Sequence, residues 1–352
     1  MKFQDGGVNT HDRARATEGY TLFAPVRHDK AYLINNDGRV VNQWQLGRGG
    51  INRCQLTESG NLLVNEGSED GPPLYAGKAG YLREYDWDGN LVWEHHDQYH
   101  HHDGRRLSNG NSIYIAWDPF DDALAARVRG GIPGTEKDGV IYGDVIKEIT
   151  SDGELVWQWG TREMEIEKYP ICPLCPRAEF AHANTCSPMP NGDVMVSFRV
   201  LNLLIVIDKE TREITWEYQD LSLGHQHDCH LLPNGNVLVF ANGFHGHDVN
   251  MFSTVREINF ETKETVWEFK ADPVTSFFSA NISGAQRLWN GNTLICEGNR
   301  GCLFEVTPEG EIVWEYVNPY LSPHPAFGTT NWIFRAFRYA PDAPELQGRL
   351  LD

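Results

Sequence analysis

Histidines occur at three points of the chain where they could take part in chemistry together. The chain has 14 histidines, and seven of them lie in three short runs: HHHD at 100–103, HAN at 182–184 and HQHDCH at 225–230. An imidazole can act as a nucleophile, as a general acid or base, or as a ligand to a transition metal. We therefore place a candidate catalytic site around His102, His182 and His227.

The three runs lie at matching points of a repeated sequence pattern. Each repeat contains a turn glycine, and a polar residue stands eight positions before it: Asn52, His102, Asn184, His227 and Ser283. Six positions before the same glycine stands a small residue: Cys54, Gly104, Cys186, Cys229 and Ala285. Small side chains fit where repeated units converge, so we expect this segment to line a central channel with a polar ring near one mouth. The cysteines are interpreted as small fillers of that channel.

The repeats themselves predict the architecture. A turn followed by a strand that ends in tryptophan recurs six times, at Trp44, Trp93, Trp157, Trp216, Trp267 and Trp314, spaced 47 to 64 residues apart. Most repeats also contain two other strand patterns and leave room for a fourth strand. Four-stranded units of this length, repeated radially, are typical of a β-propeller. We predict an all-β, six-bladed β-propeller with four-stranded antiparallel blades, forming a single domain over residues 1–352, with the tryptophans packing between blades.

Two segments interrupt the repeats, and the two ends of the chain complement each other. We interpret residues 118–143 and 160–180 as insertions that frame the mouth of the channel; a degenerate seventh blade within 118–143 is the competing interpretation. The first unit offers only a short match for an inner strand, at residues 19–25, and strand-like sequence returns at 329–342. We expect these two segments to close the ring, which removes exposed strand edges.

Composition excludes several classes of function. The chain carries 30 Lys and Arg against 49 Asp and Glu, a formal charge of −19, and no basic block. Binding of nucleic acid through its phosphates requires clustered cations, so no nucleic-acid partner is expected. No apolar stretch is long enough to span a bilayer, and the first 20 residues lack the apolar run of a signal peptide. We expect no membrane association and a cytoplasmic location.

Two further motifs contain residues that bind metals. Cys172 and Cys175, in CPLCP, have the spacing of half a zinc site or of a redox pair. No second C-x-x-C completes a tetrahedral set, and an ordered loop with two incidental thiols is the alternative. The HGHD sequence at 245–248 could supply one more ligand to a metal on the channel axis, or form a loop at its rim.

The motifs around the histidines resemble those of the aryl-sulfate sulfotransferase family. The resemblance extends over nearly the whole chain, from GYTLFAP through HHD, HAN, SFR and HDCHLLPNGNVLVFANG to RAFRY, and its most specific part is His182, Asn184 and Arg199. The family comprises bacterial six-bladed propellers that move a sulfuryl group between phenolic compounds through a sulfated histidine. This chain is most similar to the shorter members, which lack the extra N-terminal domain. The resemblance implies PAPS-independent transfer, with His227 as the nucleophile and His102 as a second site histidine.

Sulfuryl transfer needs a nucleophile, donors for three oxygens and an acid for the leaving phenolate. His227 is the expected nucleophile, Arg199 and Asn184 are expected to donate to the sulfuryl oxygens, and His102 with His182 is expected to hold or pass the phenol proton. We expect the substrate, an anionic aromatic molecule, to be bound by Asn52, Asp103, Asp228 and Arg335. We expect no cofactor. The cations expected at the mouth are Arg105, Arg106, Arg287 and Arg335.

Two other functions fit the same residues. His102, His182 and His227, with Asp103 or Asp228 nearby, could hold zinc, iron, copper or nickel in a metal-dependent lyase, hydrolase or oxygenase. Arg199 argues against this alternative, because a cation beside a metal centre opposes binding of the ion. A propeller that only presents an interaction surface is the third possibility. The sequence predicts no oligomeric state.

Overall fold

The computed structural model describes residues 5–245 and 251–350, and within them it is a six-bladed β-propeller. Blade 1 has the strands Ile333–Tyr339, Tyr20–Pro25, Lys30–Asn35 and Val40–Gln45. Blade 2 has Cys54–Leu56, Leu62–Gly67, Gly80–Tyr85 and Leu91–His96. Blade 3 has His100–Arg106, Ser112–Pro119, Tyr142–Ile149 and Leu155–Gly160. Blade 4 has Ala183–Pro188, Val194–Phe198, Leu203–Ile207 and Ile214–Gln219. Blade 5 has His227–Leu231, Val237–Ala241, Thr254–Ile258 and Thr265–Phe269. Blade 6 has Gly284–Arg287, Thr293–Glu297, Cys302–Val306 and Ile312–Val317, to which Gly7–His11 adds a fifth, outer strand.

Little regular structure lies outside the blades. Two short sheets pair Gly130–Ile132 with Ile171–Pro176 and Ser322–His324 with Gly328–Thr330. The α-helix is Asp122–Ala125, and the 3-10 helices are Thr161–Glu163, Ile166–Lys168, Arg199–Leu201, Leu221–Leu223, Val274–Ser276, Gly298–Arg300 and Pro344–Leu346. None of the helices in the described ranges has the length and apolar character needed to cross a bilayer.

The six repeated tryptophans connect neighbouring blades. Each indole N–H donates to a backbone carbonyl in the turn region of the next blade, at 2.6–3.0 Å; the acceptors are Asp86, Ser151, Lys209, Phe260, Pro308 and Asn36. The last of these bonds runs from Trp314 in blade 6 to Asn36 in blade 1, so the series passes around the whole ring. The predicted role of these residues in blade-to-blade packing is confirmed.

Both terminal regions close the ring, although in a different order from that expected. Residues 19–25 were expected to supply an inner strand, but Tyr20–Pro25 is the second strand of blade 1. The innermost strand is Ile333–Tyr339, which pairs antiparallel with it. At the other edge, Gly7–His11 covers the outer strand of blade 6. The N-terminal region therefore joins blade 6 to blade 1, and the strand from the C-terminal region completes blade 1.

The two interruptions of the repeat are insertions, and the competing seven-blade interpretation is wrong for the described residues. The first lies between the second and third strands of blade 3 and contains the single helical turn Asp122–Ala125. The second connects blades 3 and 4. They meet where Gly130–Ile132 pairs in parallel with Ile171–Pro176, so they form one joint structure beside the propeller.

A buried ion pair joins blade 1 to blade 6 at the ring closure. The Arg338 guanidinium contacts the Glu305 carboxylate, and both side chains are fully buried. Arg338 also donates to Thr21 Oγ1 at 3.0 Å, and Glu305 accepts from the Thr17 amide at 2.8 Å. The pair thus connects the innermost strand of blade 1, the N-terminal segment and the third strand of blade 6.

We predict that Arg338→Leu lowers the free energy of unfolding by about 3–5 kcal/mol, because it leaves the Glu305 charge buried without its partner. Adding Glu305→Gln removes that charge and retains the carbonyl acceptor for Thr17, so the double variant is expected to be more stable than Arg338→Leu. Urea unfolding of both single variants and the double variant measures the coupling. Strict additivity would contradict the prediction.

Candidate functional site

Four of the predicted site residues line one cavity at the propeller axis. The cavity has a volume of about 630 Å³, and its wall includes His102, His182, Arg199 and His227. The three histidines are no more than 6% exposed, so they form its floor. The rings of His102 and His182 are in contact, with centroids 4.7 Å apart. The buried ring of Phe334, from blade 1, lies 6.3 Å from the His102 ring and 6.5 Å from the His227 ring.

Local irregularities of the innermost strands position these histidines. The pairing of the first strand with the second shifts register in blades 3, 4 and 5, next to each histidine. His102 and His182 themselves have positive φ angles, of 55° and 57°. Bulges are common near active sites, where they turn side chains away from the regular alternation of a strand. Here the bulges in three successive blades direct one histidine from each blade into the same cavity.

Hydrogen bonds assign the tautomer of His227. Its Nδ1 lies 2.8 Å from Asn242 Oδ1, and the Asn242 amide nitrogen donates to the carbonyls of Ser279 at 2.7 Å and Ile282 at 3.1 Å. Because these bonds direct Oδ1 toward the ring, the hydrogen resides on Nδ1. Nε2 accepts from the Ile282 amide at 3.2 Å, consistent with a lone pair at this atom. Ile282 has a φ of 51°, a strained value for a β-branched residue.

Both His227 and His102 are held neutral. Burial, followed by the charge of Arg199, lowers the pKa of the His227 imidazole well below its usual value, and the hydrogen bond to Asn242 opposes this shift. For His102, burial is again the largest cause, and His182 and His101 add to the lowering of its pKa. A neutral imidazole retains the lone pair that nucleophilic attack or proton uptake requires.

His102 is connected to a buried carboxylate through a second histidine. Its Nδ1 lies 2.7 Å from Nδ1 of His101, and Nε2 of His101 lies 3.2 Å from Asp144 Oδ1. His101 also stacks on the indole of Trp117. A hydrogen bond between the two Nδ1 atoms requires one of them to carry the hydrogen. The Asp144 carboxylate lies at the opposite nitrogen of the His101 ring.

His182 and Arg199 complete the floor. Nδ1 of His182 lies 3.0 Å from Glu179 Oε1, which leaves Nε2 as its unengaged ring nitrogen. The Arg199 guanidinium forms no ion pair with any carboxylate in the described part of the chain, and burial lowers its pKa. Because no carboxylate forms an ion pair with it in these ranges, the Arg199 guanidinium can bind an oxyanion in the cavity.

The cavity rim is cationic and aromatic. The charged residues of the lining are Arg27, Arg48, Lys78 and Arg199 against the single carboxylate Glu69. Four aromatic or imidazole rings surround the opening: Tyr75, His324, Phe327 and Trp332. The site therefore offers an anion a positive local environment despite the net charge of the chain, and it offers an aromatic molecule ring surfaces to contact.

Comparison with known proteins identifies the family. The sequence model described as arylsulfotransferase (ASST) matches residues 79–319, more than half of the chain. The chain belongs to the arylsulfotransferase family. No curated protein matches it. The resemblance predicted from the HHD, HAN and QHD motifs is thus confirmed.

Solved structures confirm the fold of this arylsulfotransferase family member. A protein of unknown function from Bacteroides caccae is 16% identical with a TM-score of 0.57, and the match covers 92% of this chain and 99% of that one. A streptogramin B lyase is 10% identical with a TM-score of 0.50, and the match covers 96% of each chain. At these identities the likeness concerns the propeller fold alone.

Asn184 has a different location from the one expected. Its amide nitrogen donates to the carbonyl of Gln226 at 2.8 Å, its Oδ1 accepts from Thr185 at 3.2 Å, and it is fully buried outside the cavity lining. The bulge that presents His182 turns Asn184 toward blade 5. The expectation that Asn184 donates to a sulfuryl oxygen is therefore corrected: it holds the residue next to His227.

The four predicted substrate-binding residues also lie outside the cavity lining. Asn52 is fully buried, accepts from the Gly50 amide at 2.8 Å and donates to the carbonyls of Pro25 and His28. Arg335 lies 3.4 Å from Asp103 and 3.3 Å from Asp228 and donates to Thr185 Oγ1 at 2.6 Å. The expectation of direct substrate contact by Asn52, Asp103, Asp228 and Arg335 is corrected, because their polar groups bind other parts of the protein.

Asp103 and Arg335 belong to a larger buried ion cluster at the axis. Asp103 also pairs with Arg53 at 3.0 Å and Arg105 at 3.1 Å. Although burial opposes its ionisation, Arg105, Arg53 and Arg335 hold the pKa of the Asp103 carboxyl well below its usual value. Burial lowers the pKa of Arg53 to about 10. Three arginines and two aspartates, Asp103 and Asp228, thus meet at this axial cluster.

The arginines and insertions that were expected at the mouth of the cavity do not line it, and other residues do. Arg106 pairs with Glu84 and Arg287 with Glu257, and neither these arginines nor Arg105 lines the cavity. The insertions 118–143 and 160–180 contribute no residue to the lining. Loops within residues 67–78 and 324–332 form the rim instead. These loops lie outside the repeated strands, so periodicity gave no signal for them.

Sequence reasoning also missed the groups that support the histidines. Asn242, Ile282, His101, Asp144 and Glu179 act on the three rings through contacts that only the fold creates. A local signal existed for Glu179, which precedes His182 by three residues, and for His101 in the HHHD run. Asn242 belongs to the HDCHLLPNGNVLVFANG motif, but nothing in that motif indicated its contact with His227, and Ile282 had no signal.

The alternative metal site at His102, His182 and His227 stays a prediction. In the described residues, the set of three or more His, Cys, Asp or Glu with ligand atoms within 4.8 Å of one another is Cys172, Cys175, His225 and His245, which includes none of these three histidines. Gly246 to Asp248 of the HGHD motif lie outside the described residues.

Gly77 packs directly on the His102 imidazole, where a Cβ atom would lie 1.9–2.2 Å from three ring atoms. Its φ is +70°. Gly110, in the same blade as His102, has a φ of +86° and open space around the Cβ position, so Gly110→Ala is a matched control. We predict that Gly110→Ala costs about 1 kcal/mol of stability through its backbone alone. Gly77→Ala is expected to cost about 1–3 kcal/mol more.

Denaturant unfolding measures both stability changes, and a crystal structure of Gly77→Ala is expected to show the His102 ring displaced from the cavity floor. Equal destabilisation of the two variants, with His102 in its original position, would contradict the predicted contact.

Proposed function

We propose that the axial cavity is the active site of a PAPS-independent aryl-sulfate sulfotransferase that transfers a sulfuryl group to a phenolic acceptor through a transient sulfohistidine at His227. Membership of the arylsulfotransferase family supports this class of reaction. The observation that carries the proposal is the state of His227: a neutral ring in the cavity, with Nδ1–H bound to Asn242 and the lone pair on Nε2.

The first half-reaction forms the sulfohistidine. The lone pair of His227 Nε2 bonds to sulfur as the bond from sulfur to the phenolic oxygen breaks, and the electron pair of that bond leaves on the oxygen. In this proposal the pair of His102 and His101 enters the reaction with one additional proton on His101, whose Nε2 lies 3.2 Å from Asp144. The leaving phenolate takes the hydrogen of His102 Nε2 as His102 Nδ1 takes the hydrogen of His101 Nδ1, so His102 stays neutral. Positive charge that develops on the His227 ring strengthens its Nδ1–H bond to Asn242.

The second half-reaction reverses these steps on an acceptor. The acceptor phenol gives its proton to the His102 and His101 pair as its oxygen bonds to sulfur. The bond between Nε2 and sulfur breaks, and its electron pair returns to His227. His182, held through Nδ1 by Glu179 and in ring contact with His102, is the second imidazole available for this proton.

Two groups are suited to the sulfuryl oxygens. Arg199 offers a planar set of N–H donors without a carboxylate partner in the described ranges. The Ile282 amide donates to Nε2 in the free enzyme. When Nε2 bonds to sulfur, this N–H loses its acceptor and becomes available to an oxygen of the transferred group.

The rim fits an anionic aromatic donor. Arg27, Arg48 and Lys78 attract the sulfate ester, and the exposed rings of Tyr75 and Phe327 offer apolar faces for the aryl group. We propose that donor and acceptor bind in turn at this opening, since one cavity leads to the histidines.

We predict that His227→Ala lowers kcat for transfer from 4-nitrophenyl sulfate to a phenol by at least about a thousandfold. His230→Ala is the matched control, because His230 is on the same strand and outside the cavity lining. Phenolate release follows the reaction. Mass spectrometry of the quenched wild type without acceptor is expected to find one added sulfuryl group on His227. Sulfation at another residue, or turnover in His227→Ala close to that of His230→Ala, would contradict the assignment.

A second prediction concerns the tautomer. Asn242→Leu removes the acceptor for Nδ1–H and is expected to lower the rate of the phenolate burst on the order of a hundredfold, with little change in KM. Asn242→Asp retains an acceptor and loses the bonds donated to Ser279 and Ile282, so it serves as the comparison. Rapid-mixing kinetics distinguish them. An equal loss in both variants would indicate that Asn242 acts only by supporting the loop at 279–282.

A further inference from the structure

Four metal-binding side chains from three distant parts of the chain meet beside the active-site cavity. Sγ of Cys172 lies 3.6 Å from Nδ1 of His245, and Sγ of Cys175 lies 3.7 Å from Nε2 of His225 and 3.8 Å from Nδ1 of His245. The four ligand atoms all lie within 4.8 Å of one another. Cys175 and His225 are buried, and the other two are half-buried.

These separations match those of a tetrahedral zinc centre. Zinc–sulfur bonds of about 2.3 Å and zinc–nitrogen bonds of about 2.0–2.1 Å at tetrahedral angles place sulfur and nitrogen about 3.6 Å apart. Two thiolates and two imidazoles are also a donor set that selects zinc over magnesium, calcium or manganese. We propose that Cys172, Cys175, His225 and His245 bind one zinc ion.

The site is structural because all four positions are filled by protein. None of the four residues lines the cavity that contains His227, and a four-coordinate site leaves no position for a substrate. Two thiolates neutralise the charge of the ion. The neutral centre is therefore compatible with the nearby Arg199, whose pKa is lowered by burial and raised in part by Cys175 and Cys172.

The ion would hold the insertions to the propeller. Cys172 and Cys175 are on Ile171–Pro176, which pairs with the other insertion at Gly130–Ile132. His225 follows the 3-10 helix Leu221–Leu223 at the end of blade 4, and His245 follows the second strand of blade 5. The ion would thus join three segments that do not share a sheet, at a point close to Arg199.

Metal analysis of untagged protein from zinc-supplemented medium tests the proposal independently of any activity. Plasma mass spectrometry is expected to find about one zinc per chain in the wild type, and less than about a tenth of that in Cys172→Ser. His245→Ala, at a half-buried position, is the second variant in case Cys172→Ser does not fold.

Cys54→Ala is the control for loss of a cysteine elsewhere, and His102→Ala and His227→Ala control for the axial histidines. All three controls are expected to retain zinc.

Three results would overturn the assignment. The first is wild-type protein that holds no zinc even after reconstitution, or holds another metal in its place. The second is a Cys172–Cys175 disulfide in freshly purified protein, which would indicate a redox pair. The third is zinc that persists in Cys172→Ser and His245→Ala but is lost from His102→Ala or His227→Ala, which would place a metal at the axial triad. Loss of sulfuryl transfer with normal zinc binding would affect only the proposed function.

Discussion

The buried ion cluster around Arg335 is the constraint on which the centre of the molecule depends. Arg335 comes from blade 1, Arg53 from blade 2, Asp103 and Arg105 from blade 3 and Asp228 from blade 5, and their charged groups meet within ion-pair distances. Removing a charged partner from such a site leaves another charge buried and uncompensated, which is strongly unfavourable. The inner strands that converge here are therefore held in fixed positions relative to one another along the propeller axis. The three arginines and two aspartates of the cluster together carry one net positive charge.

The histidines of the proposed reaction take their positions from this cluster. His102 directly precedes Asp103 and His227 directly precedes Asp228, so each of these two histidines neighbours an anchored carboxylate in sequence. Two side-chain amides also hold the backbone at these histidines. Asn65 donates to the carbonyl of His102, and Asn184 donates to the carbonyl of Gln226, which precedes His227. A charge cluster outside the cavity lining thus sets the positions of the histidines in the proposed reaction. The proposed nucleophile, His227, has a neutral ring and an assigned tautomer, and its hydrogen-bond partners are the uncharged groups of Asn242 and Ile282.

The sequence repeats made the fold and the histidines of the candidate site predictable. Residues outside the repeats could not be predicted, because they have no equivalents with which to be aligned. Trp44 and its five equivalents pack in the same way because every blade has the same neighbours, and His102 and His227 could be aligned because they belong to repeated strands. Asn184 was misplaced because a single bulged residue reverses the side that a side chain faces. The rim residue Arg27 and the supporting Asn242 belong to no repeat. Cys172 and His245 are 73 residues apart, and no pattern in the sequence relates them.

The closure of blade 1 has a consequence for how the protein is made. Its innermost strand, Ile333–Tyr339, pairs with Tyr20–Pro25, and it carries both Arg335 of the axial cluster and Arg338 of the ring closure. During translation, five blades and three strands of blade 1 leave the ribosome before this strand does. Until then, Tyr20–Pro25 has an open edge, Asp228 lacks its ion pair with Arg335, and Asp103 lacks one of its three arginine partners. The nascent chain must therefore be protected from aggregation, and the floor of the cavity is completed only after this strand has been synthesised.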